Sequence, residues 1–229
     1  MRQMFDRRYP VTNGLLAVTT AVFLLIQILR FGQTTAAYTI FEFGGMYGEA
    51  VRQDPSQLWR LISPIFIHIG WEHFLFNSIT LIGLGYQLEG LFGPRRFFLL
   101  YLLSGMMGNL FVLFFTPGVV GAGASTSLFG LFAAMALLRK FSRSRYLQVL
   151  GQRYMMLLGM NLLLGLFTPS ISMAGHIGGA VGGALVVIFL PPLVEKNLFS
   201  GKQIFYSFIS YLAIFILLLS IFYLPKLSN

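Results

Sequence analysis

Long apolar stretches separated by short polar connections form the dominant pattern along this chain. A helix needs about 20 mostly apolar residues to cross a bilayer. By this criterion we identify seven candidate spans, at residues 11–30, 72–91, 97–115, 124–138, 153–168, 174–190 and 205–223. The pattern therefore predicts an all-α polytopic membrane protein, built as one bundle of seven transmembrane helices.

Composition agrees with this prediction and narrows the chemistry. Of the 229 residues, 56% are hydrophobic and only 10% are charged, whereas a soluble domain carries about 25% charged residues. The chain has no cysteine, which excludes disulfides and thiolate metal sites.

The basic residues fall mostly on one side of the predicted bundle. Only Arg30, Arg52, Arg60 and Lys226 fall on the other side. The positive-inside rule then predicts a cytoplasmic N-terminus and an outer C-terminus. The net charge of +9 thus reports membrane orientation, and nucleic acid is not an expected partner. The cytoplasmic set is Arg2, Arg7, Arg8, Arg95, Arg96, Arg139, Lys140, Arg143, Arg145, Arg153, Lys196 and Lys202.

The connection between the first two spans, residues 32–71, is too apolar for an ordinary solvated loop. Trp and Tyr are favoured at the membrane–water interface. We therefore expect this outer segment to lie partly in that interface. Its aromatic residues include Tyr38, Phe41, Phe43, Tyr47 and Trp59.

The fourth span is unusually short. From Ser125 to Leu138 it has fourteen residues, or about 21 Å of helix, whereas the hydrocarbon core is about 30 Å thick. Because Arg139 and Lys140 fix its cytoplasmic end, its outer end should lie below the outer surface. The preceding residues 116–123 must then enter the membrane as irregular backbone, which is tolerated only when buried in protein or lining a wet cavity. We expect Ser125 at the helix N-terminus, at the bottom of an outward-facing cavity.

Ser125 and His176 carry proton-transfer chemistry in these apolar surroundings. Such residues are costly inside a membrane and are functional candidates by default. A serine hydroxyl needs an adjacent base to act as a nucleophile, and His176 opens the neighbouring sixth span. No Asp or Glu lies between Glu89 and Glu195. A serine nucleophile built from these spans must therefore work through a Ser–His dyad rather than a triad.

A second polar pair and a set of small residues extend this constellation. His73 and Asn77 are four residues apart on the second span and share one helical face. Together with the Ser125 backbone N–H, they offer donors for a developing oxyanion. Small residues let the fourth and sixth helices approach closely. They are Gly175, Gly179 and Gly183 on the sixth span, and Gly130 and Ala134 on the fourth.

Simpler interpretations apply to several other polar residues. A serine inside a membrane helix usually bonds to its own backbone, and a buried asparagine usually satisfies one partner. Phe129 is most simply a core residue, although it shares the Ser125 face and would support the His176 ring. The histidines of His68-Ile69-Gly70-Trp71-Glu72-His73 are five apart rather than the four of a zinc helix, so we expect no metal and no cofactor. The polar residues interpreted as structural are Ser104, Ser127, Ser172, Asn109 and Asn161.

In combination, these residues resemble the rhomboid intramembrane serine proteases over essentially the whole chain. The resemblance implies a cytoplasmic tail at 1–10, a six-span rhomboid catalytic core at 11–203, and an additional C-terminal transmembrane helix with a short outer tail at 204–229. It also implies that the outer segment is a membrane-associated loop. The motifs that carry the resemblance are Gly123-Ala124-Ser125 with Gly130, His176-Ile177-Gly178-Gly179, His73-Phe74-Leu75-Phe76-Asn77 with His68 upstream, and Trp59-Arg60.

The resemblance assigns a role to each of these positions. Ser125 is the implied nucleophile and His176 the general base, while His73 and Asn77 are the implied oxyanion-hole side chains. The implied substrates are single-pass transmembrane proteins, cut near the outer end of their helix. The residues implied to pack around the active site are Gly123, Phe129, Gly130 and Gly179.

Two positions depart from the family pattern. Many members have Gly directly after the serine, where this chain has Thr126. The family often places Tyr four residues beyond the serine to stack on the histidine, where this chain has Phe129. A phenyl ring keeps the stacking, so we expect activity to survive.

Two other functions remain open at this point. A non-proteolytic binder of transmembrane segments uses the same fold without needing Ser125. A small-solute transporter predicts internal symmetry between two halves, and the chain shows none. With no transit peptide or organellar signal, we expect a bacterial plasma membrane with the active site opening outward.

Overall fold

The computed structural model describes residues 6–168 and 171–224, so Arg2 and Lys226 of the predicted charge pattern lie outside the described residues. Within these ranges the regular structure is helical, apart from one isolated bridge between Met46 and Gly121. The α-helices are α1 Pro10–Leu29, α2 Ala37–Glu42, α3 Gly48–Gln53, α4 Gly70–Phe92, α5 Pro94–Phe115, α6 Ser125–Phe141, α7 Arg145–Leu166, α8 Met173–Phe189 and α9 Gly201–Tyr223.

Helices occupy all seven predicted spans, and the chain is a multi-pass membrane protein. In the described ranges, α1, α5, α7 and α9 are each long and apolar enough to cross a membrane. Helix α4 qualifies together with the 3-10 turns before it, from which it is bent by 77°. Helices α6 and α8 have only 17 residues each. The number of full crossings therefore stays a prediction.

Several helices extend beyond the predicted spans, including α5, which begins at Pro94 rather than residue 97, and α9, which begins at Gly201 rather than residue 205. Helix α6 begins at Ser125, as expected, but it continues to Phe141 rather than Leu138 and is about 25 Å long. Helix α7 begins at Arg145, well before residue 153. The extensions of α6 and α7 have one cause: hydropathy marks only the apolar part of a helix, whereas polar residues such as Lys140, Arg145 and Gln148 are good helix formers and continue it.

The centre of the bundle consists of α5, α6 and α8. Helix α5 buries Leu100, Tyr101 and Leu110 completely, and α6 does the same with Leu131 and Met135. Helices α1, α4, α7 and α9 surround this centre and expose one apolar face each. This arrangement places the first turn of α6 inside the protein.

A buried carboxylate joins α1 to α4 at the predicted cytoplasmic end. Glu89 is 2% exposed and accepts hydrogen bonds from the Val11 N–H at 2.9 Å and the Thr12 N–H at 2.8 Å. It also accepts from the Thr12 hydroxyl at 2.7 Å. The first N–H groups of a helix have no partner within the helix, so Glu89 satisfies them and fixes the start of α1.

The outer segment is a folded unit that contains α2, α3 and 3-10 turns at Pro55–Leu61 and Ser63–Phe66. Arg60 holds it together, because its guanidinium donates to the Phe41 carbonyl at 2.7 Å and the Gly45 carbonyl at 2.8 Å. The same group lies 4.0 Å from the Phe41 ring centroid and 4.5 Å from the Trp59 ring centroid. Trp59-Arg60 is therefore a structural pair. Partial insertion of this segment into the membrane stays a prediction.

Candidate active site

Ser125 is the first residue of α6. Residues 116–124, which we call the approach to Ser125, lead to it as an irregular segment whose exposure decreases toward the helix. Val119 in this segment is 58% exposed, whereas Ala124 is 1% exposed. The chain therefore passes from the surface into the protein as non-helical backbone, and its entry into the membrane stays a prediction. At a helix N-terminus the backbone N–H groups are free of intrahelical partners and favour negative charge.

Hydrogen bonds from the outer segment hold this approach in place. The Gly123 N–H donates to the Pro64 carbonyl at 2.9 Å, and the Ala124 N–H donates to His68 Nε2 at 3.3 Å. His68 is fully buried. The sequence motif included His68 without assigning it a role. The structure shows that it fixes the backbone immediately before Ser125.

Gly123 is required by both conformation and space. Its φ is +133°, a value that L side chains rarely adopt. A Cβ atom at Gly123 would lie 2.7 Å from His73 Nε2 and 3.5 Å from Ser125 Oγ. His73 and Ser125 therefore face the same small volume beside Gly123.

Helix α8 approaches α6 so closely that backbone touches backbone. A Cβ atom at Gly179 would overlap the Thr126 carbonyl oxygen, and one at Gly183 would overlap the Gly130 carbonyl oxygen. The Thr126 side chain fits against α8 because Gly175 has no Cβ atom. A Cβ there would lie only 3.1 Å from the Thr126 methyl group. The four-residue glycine spacing thus forms the groove that the sequence indicated.

His176 lies in the first turn of α8 and stacks on Phe129. Their ring centroids are 3.7 Å apart and their planes differ by 12°. Phe129 is four residues after Ser125, so it lies on the same face of α6 one turn below. The Ser172 hydroxyl caps this helix by accepting from the Gly175 N–H at 3.2 Å. These contacts place the His176 ring against the face of α6 that begins with Ser125.

His73 and Asn77 lie on one face of α4. Their hydrogen bonds within the protein determine which of their N–H groups are left to donate to a substrate. The Ile69 N–H donates to His73 Nδ1 at 3.4 Å, so in a neutral ring Nε2 carries the proton and points toward Gly123. The Asn77 amide donates one hydrogen to the His73 carbonyl at 2.9 Å. An amide nitrogen carries two hydrogens, so one remains for another acceptor.

The geometry brings three groups named in the sequence analysis to one part of the protein. Ser125 sits at a helix N-terminus, a histidine ring is fixed on its helical face, and an N–H donor from His73 faces the same volume. Among the described residues, no three His, Cys, Asp or Glu side chains are close enough to share a metal ion. The nearby pair of His68 and His73, with ring centroids 5.1 Å apart, therefore has no third ligand there.

The polar residues that the sequence analysis interpreted as structural make hydrogen bonds or packing contacts. Asn109 donates to the Leu61 carbonyl at 3.0 Å, which ties α5 to the outer segment. Asn161 donates to the Leu157 carbonyl of its own helix at 2.8 Å. Ser104 packs against Gly130, and Ser127 packs against Gly105. Ser172 is a helix cap, a role that the sequence interpretation did not specify.

Comparisons with known proteins show the family of this chain. The family model of the rhomboid domain matches residues 55–193. The chain is 34% identical to rhomboid protease GluP of Bacillus subtilis over 170 residues, which is 72% of this chain and 33% of that protein. It is 30% identical to the putative rhomboid protease YdcA of Bacillus subtilis over 190 residues, 80% of this chain and 90% of that protein.

The relatives also include a protein whose name states that it is inactive. The chain is 30% identical to inactive RHOMBOID-like protein 8 of Arabidopsis thaliana over 148 residues, 64% of this chain and 42% of that protein. The chain spans a third of the length of GluP. Similarity therefore leaves the activity to be argued from the site itself.

Proposed function

Because the chain belongs to the rhomboid family, we propose that it is an intramembrane serine endopeptidase that works through a Ser125–His176 dyad. The single observation that carries this proposal is the stacking of His176 on Phe129, one helical turn from Ser125. The stacking holds the ring of His176, the proposed base, against the face of α6 on which Ser125 lies.

The proposed reaction begins when a ring nitrogen of His176 takes the Ser125 proton as Oγ attacks the scissile carbonyl carbon. The C=O electrons move to the oxygen, and the resulting oxyanion accepts hydrogen bonds from His73 Nε2–H, the remaining Asn77 N–H and the Ser125 backbone N–H. His176 then gives its proton to the departing amine, and an acyl-enzyme forms on Ser125. Water entering from the outer side hydrolyses this ester with His176 again as base.

The proposed substrates are single-pass membrane proteins cut near the outer end of their transmembrane helix. A helix hides its carbonyls in backbone hydrogen bonds, so a substrate must unwind locally before Ser125 can attack it. Low helix stability near the cut is therefore the proposed basis of selection. We place the protein in a bacterial plasma membrane, with a cytoplasmic N-terminus and the site open to the outer side.

The test is cleavage of a single-pass reporter by purified protein in liposomes. The reporter carries helix-breaking residues near its outer end, and a matched reporter carries leucines there. We expect the first to be cut faster and Ser125→Ala to cut neither, whereas the buried control Ser127→Ala should retain cleavage. Equal cutting of both reporters would contradict selection by helix stability. Cleavage that survives Ser125→Ala would refute the proposed nucleophile.

A binder of transmembrane segments is the alternative outcome of the same experiment. Such a protein would co-purify with the reporter and leave it intact in both the wild type and Ser125→Ala. Because the chain is similar to an inactive rhomboid-like protein, the experiment must distinguish a binder from a protease. Retention of both Ser125 and His176 favours the protease.

A further inference from the structure

The last turn of α9 contacts the outer segment far from it in sequence. The Tyr223 hydroxyl donates to the Val51 carbonyl of α3 at 2.9 Å. In a helix, the Val51 carbonyl would accept from the N–H of residue 55, but residue 55 is a proline and has none. Val51 is fully buried. The Tyr223 hydroxyl therefore supplies a donor to a carbonyl that the sequence of α3 itself leaves unsatisfied.

A second contact lies directly beside the first. The Arg52 guanidinium lies 4.5 Å from the ring centroid of Phe222, which is 2% exposed. A cation over an aromatic face is attracted by the ring. Glu49 lies 3.6 Å from Arg52. Two successive residues of α9, Phe222 and Tyr223, thus hold two successive residues of α3. We call this pair the α9 brace.

At its N-terminal end, α3 contacts the irregular segment that leads to Ser125. The Glu49 N–H donates to the Pro117 carbonyl at 3.1 Å. A Cβ at Gly48 would lie 2.6 Å from Pro117 Cα, so the two backbones are in contact. Just before α3, Met46 and Gly121 exchange two backbone hydrogen bonds of 2.7 and 2.8 Å. Helix α3 therefore lies between the α9 brace and the approach to Ser125.

We propose that the α9 brace positions the approach to Ser125 through α3, with Tyr223 as the positioning residue. Its consequence for catalysis rests on the proposed protease function. The existence of the brace does not rest on that function, because it concerns only which backbone hydrogen bonds depend on the Tyr223 hydroxyl. The additional C-terminal helix is then part of the machinery that holds the nucleophile, although it lies outside the matched rhomboid domain.

Amide hydrogen exchange of the full chain in detergent tests the brace directly. Tyr223→Phe removes one hydroxyl and keeps the ring, so the protein should fold. We expect the amides of Met46, Glu49 and Gly121 to exchange about fivefold faster, as local opening becomes easier. The matched control is Tyr211→Phe in the same helix, which removes a hydroxyl bonded to the Leu103 carbonyl at 2.9 Å and should leave those amides unchanged.

The labelling rate of Ser125 by a fluorophosphonate, measured on the same samples, tests the consequence. We expect about a threefold slower rate in Tyr223→Phe and no change in Tyr211→Phe. Unchanged exchange in Tyr223→Phe, or an equal rise in Tyr211→Phe, would overturn the brace. Faster exchange with unchanged labelling would overturn its link to Ser125. Absence of label in the wild type would refute the protease instead, while exchange would still decide whether the brace exists.

Discussion

Helices α7 and α8 follow each other along the chain and are held in opposite ways. Helix α8 has a glycine face that is buried against α5 and α6, and its backbone touches the α6 backbone at Gly179 and Gly183. Helix α7 is longer, yet residues of its outer half such as Met160 and Leu163 are more than half exposed. The proposed base lies on α8. The side chain proposed to react is therefore carried by the helix whose position is fixed by backbone contact.

The difference shows what fixes a helix inside a membrane. Lipid is as apolar as leucine, so close packing and hydrogen bonds, rather than hydrophobicity, hold membrane helices together. Glycine in a helix costs about 1 kcal/mol relative to alanine. In α8 this cost is offset, because glycine allows backbone contacts with α6 that no larger residue permits. Helix α7 instead presents methionine and leucine side chains that lipid can surround.

The largest effect should come from a methyl group added where α8 meets α6. Gly179→Ala places a Cβ on the Thr126 carbonyl oxygen, so α8 must shift and carry His176 with it. We expect cleavage to fall by about 100-fold, as displacements of about 1 Å can cost that much. The control is Gly159→Ala in α7, where nothing lies within 4 Å of the added atom. If both variants cleave the reporter at the wild-type rate, backbone contact does not position the base.

A smaller effect should follow from removing the ring under His176. Phe129→Leu keeps an apolar side chain but loses an aromatic stack worth about 0.5–1.5 kcal/mol, so we expect about a tenfold lower kcat. Phe132→Leu is the matched control: Phe132 is also buried in α6 and contacts Phe129 and Tyr154. Equal losses of kcat in the two variants would mean that Phe129 contributes only to core packing.

The smallest effect on chemistry should come from the place where α7 packs against the cytoplasmic half of α6. A Cβ at Gly151 would lie 2.5 Å from the Met135 carbonyl oxygen. Gly151→Ala should therefore destabilise the protein by about 1–3 kcal/mol through overpacking. Because Gly151 is remote from Ser125, the activity per folded molecule should stay within about twofold. Thermal unfolding and active-site titration, with Gly159→Ala as the reference, measure the two quantities separately.

Local patterns predicted much of this site. The short fourth span predicted that a helix begins at Ser125, and the four-residue spacing placed Phe129 on the Ser125 face. The glycine spacing predicted the close approach of α8. These inferences use only the helical repeat and the length of an apolar stretch relative to the bilayer, so a single sequence is sufficient for them.

Contacts between distant segments could not be predicted in this way. Nothing near His68 indicates that its ring accepts from the Ala124 N–H, and nothing near Tyr223 indicates a bond to Val51. Glu89 has no local feature that marks it as the cap of α1. These contacts depend on how the helices pack in three dimensions. The helical repeat does not contain that information.

The most direct test of the central claim, a Ser125 activated by His176, is fluorophosphonate labelling of the purified protein in detergent, with the labelled residue mapped by mass spectrometry. The account predicts label on Ser125 in the wild type and in Ser127→Ala, and no label in Ser125→Ala or His176→Ala. Label that persists at full rate in His176→Ala would contradict it, because Ser125 would then be activated by some other group.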